Sequence, residues 1–199
     1  MNDVSLTFPL FLRGPVPLCH LLLQSMLHDG AQVVDATCGN GHDTLLLARL
    51  VGSVGRVWGF DIQADAIAET GRRVAEAGLA ERVTLLHGSH ELLTELVPAP
   101  LNLVLFNLGY LPGGDRSVIT RTESTRAALS QAVALLAAGG SVLVTIYPGH
   151  PGGDDERQAV EGWAASLEPR HYHSWRLGQV NVPATAPYLM LIQKAPAQR

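Results

Sequence analysis

The sequence predicts an α/β fold of the Rossmann-like kind, a mostly parallel seven-stranded sheet with an antiparallel last strand and helices on both faces. Three observations carry this. Short β-branched apolar runs alternate with longer stretches whose apolar residues recur every three to four positions, the pattern of strands buried between helices. One such run, Val33-Val34-Asp35-Ala36, passes through a glycine-rich turn into a helical pattern, as at the mouth of a nucleotide-binding βα unit. The last two runs are joined by a loop holding Gly178, Pro183 and Pro187 and no helical spacing, which implies a hairpin.

Taken in order, a leading helix is expected over 18–27, followed by a first strand over 32–36 and a crossover helix over 43–51. A strand over 56–60 and a helix over 64–77 come next, then a strand over 82–86 and a short helix over 91–96. The most apolar strand, 101–107, precedes a helix over 121–137, a strand over 141–146 and a helix over 155–167. Strands over 171–177 and 188–193 close the sheet. Gly30, Gly52, Gly78 and Gly139 stand where helices should stop, and Asp43, Asp61 and Thr120 stand at helix starts, where a side-chain oxygen can accept from free backbone amides.

At 199 residues, with no linker-like tract, the chain is expected to form one domain over 1–199. A hydrophobic fraction of 47% against 16% charged residues excludes a disordered or fibrous chain. The apolar stretch over 16–27 is interrupted by Cys19, His20, Gln24 and Ser25 and is too short to span a membrane. With no basic segment before it, a cytoplasmic location and no membrane partner are expected. Cys19 and Cys38 form no CxxC pair and read as packing residues. The eight histidines are scattered without a ligand motif, so no metal is expected. A net charge of −4 argues against coating long nucleic acid, while leaving room for a compact RNA gripped by a local basic patch.

The most informative run is Asp35-Ala36-Thr37-Cys38-Gly39-Asn40-Gly41-His42-Asp43-Thr44. Gly39 and Gly41 allow backbone amides to approach a ligand closely, and Thr44 in place of a third glycine leaves the nicotinamide fingerprint incomplete, which disfavours a dehydrogenase. Asp61 lies a little over twenty residues beyond Gly39, the interval at which a carboxylate meets a ribose diol; the alternative is that it caps the next helix. The cofactor-binding set read from this pattern is Asp35, Thr37, Gly39, Asn40, Gly41, Asp43, Thr44, Asp61, Gln63, Ser89, His90 and Asn107. Ser89 and His90 follow the third strand, where they either cover an adenine or simply start the helix.

Beyond Asn107 the chain reads Leu108-Gly109-Tyr110-Leu111-Pro112-Gly113-Gly114-Asp115, a loop expected to face the reacting group. Asn107-Leu108-Gly109-Tyr110 resembles the Asn-Pro-Pro-Tyr motif of methyltransferases acting on amino groups, with the two prolines replaced. Asp115 either takes a proton or shapes the turn, and His150, within Tyr147-Pro148-Gly149-His150-Pro151-Gly152-Gly153, is the other candidate base. Arg116, Arg121 and Arg126, and separately Arg170, His171, His173 and Arg176, are candidate phosphate contacts or ordinary solvated residues. Trp58, Trp163 and Trp175 read as core.

Asp-Ala-Thr-Cys-Gly-Asn-Gly-His-Asp-Thr, Gly-Ser-His-Glu, Asn-Leu-Gly-Tyr-Leu-Pro-Gly-Gly-Asp and Ile-Tyr-Pro-Gly-His-Pro-Gly-Gly occur in this order. Together they resemble the bacterial YtqB-like, or MnmM, family once labelled rRNA methylases, over about Pro17 to Lys194. The resemblance implies a class I Rossmann-like enzyme that uses S-adenosylmethionine to methylate the amine of a 5-aminomethyl (2-thio)uridine at the tRNA wobble position. It implies the tRNA anticodon loop as partner. In the catalytic set read from the residues, Asn107 orients the amine hydrogens, Tyr110 stacks on the uracil ring, and Asp115 or His150 takes the proton. A methyltransferase for rRNA or a small amine, and a non-catalytic cofactor-binding module, are the competing readings. An apolar face on the leading helix makes a homodimer conceivable, although the same face could cover the sheet.

Overall fold

In the computed structural model, which describes residues 12–109, 122–149 and 152–197, the strands are Gln32–Asp35 (β1), Arg56–Asp61 (β2), Val83–His87 (β3), Leu101–Asn107 (β4), Leu136–Ile146 (β5), Tyr172–Leu177 (β6) and Tyr188–Lys194 (β7). They form one seven-stranded sheet in the order β3-β2-β1-β4-β5-β7-β6. Only β7 runs against the others, pairing antiparallel with both β5 and β6. The expected mostly parallel sheet with its closing hairpin is thus what the chain forms. The helices are Pro15–Met26 (α1), His42–Leu50 (α2), Ala64–Glu76 (α3), Leu93–Leu96 (α4, entered through a 3-10 turn at His90–Leu92), Thr122–Leu135 (α5) and Gly153–Ala165 (α6).

Alternate residues of the central strands feed two cores. Val104 and Phe106 of β4, with Val142, Val144 and Ile146 of β5, pack with Leu129, Val133 and Trp163 of α5 and α6. Leu103, Leu105 and Leu143 point the other way, onto Leu47 and Ala48 of α2 and Cys19 and Leu23 of α1. The strands are apolar on both faces because both are covered. Leu23 is fully buried, so the apolar face of α1 covers the sheet, and the feature that made a homodimer conceivable is spent within the chain.

Several boundaries differ from the sequence expectation. The helix expected to reach 137 stops at Leu135, because Leu136 already pairs with Leu101 and the ladder then shifts register before Leu103 meets Ser141. Gly140 lies inside that irregularity, where an added Cβ would come within 2.9 Å of the Leu101 carbonyl oxygen. Asp43 is not the cap of α2; Gly41 in a left-handed conformation holds that position. Thr120 lies outside the described residues. Trp163 is buried and Trp58 packs on the core, but Trp175 is 55% exposed, because β6 is an edge strand with few neighbours. Among the described residues no helix is long and apolar enough to cross a membrane.

β1 lies between β2 and β4, so successive connections leave it in opposite directions and a crevice opens at the carboxyl ends of β1 and β4. Asp35 and Asn107 end β1 and β4, and Asp61 ends the neighbouring β2.

Candidate active site

The turn after β1 closes tightly on itself and on β2. Cys38 N–H donates to the Phe60 carbonyl at 2.8 Å and Gly41 N–H to the Cys38 carbonyl at 2.8 Å. Thr70 of α3 donates its hydroxyl to the Gly39 carbonyl at 2.8 Å. Gly41 has φ +78, and a Cβ there would meet the Thr70 side chain and backbone at 2.8 to 2.9 Å. Glycine is required by both conformation and contact.

Asp61, at the end of β2, is partly exposed and accepts from the amides of Gly39 at 2.9 Å and Gln63 at 2.9 Å. It therefore ties the β1 turn to the start of α3 while staying part-exposed. Gln63 holds the N-cap position of α3 in extended conformation, without a side-chain cap bond. Ile62, beside Asp61, is 54% exposed, an apolar side chain that the sequence did not single out.

Asp35 is completely buried. Its oxygens accept from the Thr44 hydroxyl at 2.6 Å and the Thr37 amide at 3.3 Å. Burial, reinforced by the nearby Asp43 carboxylate, pushes the Asp35 carboxyl up to about 7 in spite of these bonds. Asp35 and Thr44 thus brace the floor of the turn.

Asp43, in the first turn of α2, gathers residues distant in sequence. One oxygen accepts from His20 Nε2 of α1 at 2.7 Å, and the other from Asn107 Nδ2 at 2.8 Å. Burial pushes this carboxyl up, but the hydrogen bonds and charges of His20, Asn107 and His42 outweigh it and hold the group below the ordinary aspartate value. The Asn107 amide N–H also donates to Thr37 Oγ1 at 2.7 Å, so β4's last residue is fixed through both backbone and side chain. Burial, then the charge of Asp43, raises the Tyr147 phenol above its usual range, leaving Tyr147 a neutral wall residue.

Ser89 and His90 behave as helix-start residues. Ser89 Oγ accepts from the Glu91 amide at 3.2 Å and donates to the Glu91 carboxylate at 3.0 Å, capping the turn. His90 is buried, with Nδ1 bonded to the Ala36 carbonyl at 3.1 Å and its ring edge-on to Phe106 at 5.7 Å. Desolvation lowers its pKa, so the ring is neutral and carries its proton on Nδ1. Nε2 is left as a buried acceptor without a partner.

Asp35, Thr37, Asp43, Thr44 and Asn107 are therefore joined by one hydrogen-bonded chain beside the β1 turn, while Gly39 with Asp61 and Gly41 with Cys38 are held by separate bonds within the turn itself. Tyr110, Asp115 and His150 lie outside the described residues. Of the basic residues, Arg176 stacks over the Tyr188 ring at 4.3 Å and lies 3.6 Å from Glu161, whereas Arg126, Arg170, His171 and His173 are exposed. His20 escaped the sequence reading because nothing local links it to Asp43, 23 residues further along the chain.

A family model described as "Putative rRNA methylase" matches residues 57–193. The chain is 35% identical over 204 aligned residues to the "tRNA (mnm(5)s(2)U34)-methyltransferase, chloroplastic" of Arabidopsis thaliana, a match spanning 98% of this chain and 74% of that protein. A solved "putative rRNA-methylase" from Clostridium thermocellum superposes with a TM-score of 0.90 at 40% identity, covering 93% of this chain and all of that one. A "putative methyltransferase" from Streptococcus mutans, solved in complex with SAH, superposes with a TM-score of 0.83 at 30% identity, covering 92% of this chain and 99% of that one.

Proposed function

The chain belongs to this rRNA methylase family of S-adenosylmethionine-dependent methyltransferases, and from that premise we propose that it methylates the amine of a 5-aminomethyl (2-thio)uridine at the wobble position of tRNA. The observation that carries the acceptor chemistry is the clamped amide of Asn107. A carboxylate only accepts hydrogen bonds, so Asp43 takes the Nδ2 end, and the amide oxygen is the end turned away from it. That oxygen suits a donor, and an amine supplies one.

When bound, S-adenosylmethionine supplies an electrophilic methyl carbon on a sulfonium. The residues present fit this molecule: a glycine turn that admits close backbone approach, and a strand-end carboxylate, Asp61, able to accept from a ribose diol. Ile62 offers an exposed apolar surface next to that carboxylate for an adenine face. Thr37, Asn40, Asp35, Thr44 and Gln63 complete and brace the pocket. Ser89 and His90 brace the chain on the adenine side, Ser89 by capping the turn and His90 by its bond to the Ala36 carbonyl.

An aliphatic amine has a pKa of about 10, like lysine, and its protonated form has no lone pair with which to attack. Asn107 has to hold the neutral amine with its lone pair directed at the methyl carbon, because alignment is the main demand of an in-line displacement. Tyr110 is assigned to the uracil ring, and Asp115 or His150 to the proton released from the product ammonium. Arg126 and Arg170, with His171 and His173 beside Arg170, are exposed and are assigned to anticodon-loop phosphates.

The decisive experiment combines the purified protein, S-adenosylmethionine and tRNA carrying the unmethylated wobble amine, with mass spectrometry of the nucleosides. A methyl gain on the wobble amine is the expected result, and its absence refutes the substrate. The family description favours ribosomal RNA as a second substrate class, so rRNA nucleosides belong in the same assay. Asn107→Ala should lower turnover by at least about 100-fold while calorimetry still detects cofactor binding.

A further inference from the structure

We propose that His20 is a positioning residue for methyl transfer, acting through Asp43 to fix the orientation of the Asn107 amide. This rests on the amine-methylating reading above, and it adds to the site a helix that the glycine turn and the loop after β4 do not contain.

Three short contacts in series carry it. His20 Nε2 bonds Asp43 Oδ1 at 2.7 Å, Asp43 Oδ2 bonds Asn107 Nδ2 at 2.8 Å, and the Asn107 backbone N–H bonds Thr37 Oγ1 at 2.7 Å. Facing a carboxylate, His20 must present Nε2 as N–H, so the direction of every bond in the series is fixed by chemistry. An asparagine amide without such a clamp can turn over and exchange its oxygen for its NH2 group. An amine held by the wrong end would meet donors where it needs an acceptor. Asp43 alone could rotate its carboxylate away from Asn107; His20 on the opposite oxygen removes that freedom.

α1 is itself firmly seated. Cys19 and Leu23, flanking His20 on the helix, are buried in the core shared with Leu103, Leu105, Leu143, Leu189 and Leu191, so the imidazole is delivered to Asp43 by a packed element. The His20 side chain is 35% exposed and Asp43 19% exposed, so the pair borders the crevice and is not part of the deep core. A single part-exposed hydrogen bond contributes modestly to stability, which leaves orientation as the main effect of this one.

The test uses full-length protein labelled with 15N and saturated with S-adenosylhomocysteine, together with His20→Ala, His20→Gln, Asn107→Ala and the His20→Ala/Asn107→Ala double variant. Exchange of the Asn107 side-chain amide protons is followed by NMR, and single-turnover methylation of the tRNA is measured in parallel. His20→Ala should speed Asn107 amide exchange and slow methyl transfer by about tenfold each, with cofactor affinity unchanged. His20→Gln, which restores an N–H donor at similar reach, should recover most of both. In the Asn107→Ala background the His20 substitution should cost nothing further.

Unchanged amide exchange in His20→Ala overturns the proposal, as does an equal loss of rate with and without Asn107. If the wild-type protein methylates no tRNA, the substrate reading fails, and the exchange measurement alone still decides the role of His20.

Discussion

Asp35 sits fully buried at the end of β1 with a carboxyl pushed up to about 7, first by desolvation and then by Asp43. The folded-state pKa lies above the unfolded value of about 3.9, so the folded protein holds a proton that the unfolded chain has already lost between those two values. Stability is therefore full below about pH 4 and falls as pH rises toward 7, by up to about 1.4 kcal/mol per pH unit from this group. Denaturant titrations of the cofactor-free protein should show this slope, and Asp35→Asn should flatten it; an unchanged slope in the variant would contradict the assignment. Asp61 gives a second expectation, because it tethers Gly39 and Gln63 through backbone amides and stays part-exposed. Asp61→Ala should weaken S-adenosylmethionine binding by about tenfold or more in calorimetry, as expected for loss of bonds to a charged acceptor. At this scale the pattern of small and acidic residues around the β1 turn was readable in sequence, because each acts within a few residues of a strand end. The partners of Asp43 were not, since His20 and Asn107 lie 23 and 64 positions away.

The glycine turn and α1 set the site at the level of elements. Gly41→Ala places a Cβ against Thr70 at a φ of +78, combining steric conflict with a backbone strain of about 1–2 kcal/mol. Cofactor affinity should fall along with the thermal midpoint, and a variant that binds normally would show that the turn can relax. Leu23→Ala removes a fully buried side chain from the α1 interface and should cost about 2–5 kcal/mol in chemical denaturation. If α1 delivers His20, the same variant should also slow methyl transfer beyond its effect on the folded fraction. Helix positions were legible from apolar spacing, but their ends were less so. The α5-to-β5 junction moved because Leu136 finds a strand partner in Leu101, a contact no local propensity encodes.

Across the whole molecule, β7 is the strand on which closure depends, since it lies between β5 and β6 and buries Leu189, Leu191 and Ile192. Truncation before Tyr188 should unpair β5 along six register positions and abolish cooperative unfolding, as judged by circular dichroism against temperature. A cooperative transition in that fragment would show that the preceding strands suffice. The alternation of strand and helix and the hairpin loop determined by themselves the sheet class, and the acidic strand ends pointed to the crevice proposed for the cofactor, because periodicity and turn chemistry act over short stretches of chain. Only the tertiary structure decided which way the Asn107 amide points and that α1 reaches into the site. Those depend on hydrogen bonds between segments far apart in sequence, whose meeting is set by strand order and packing.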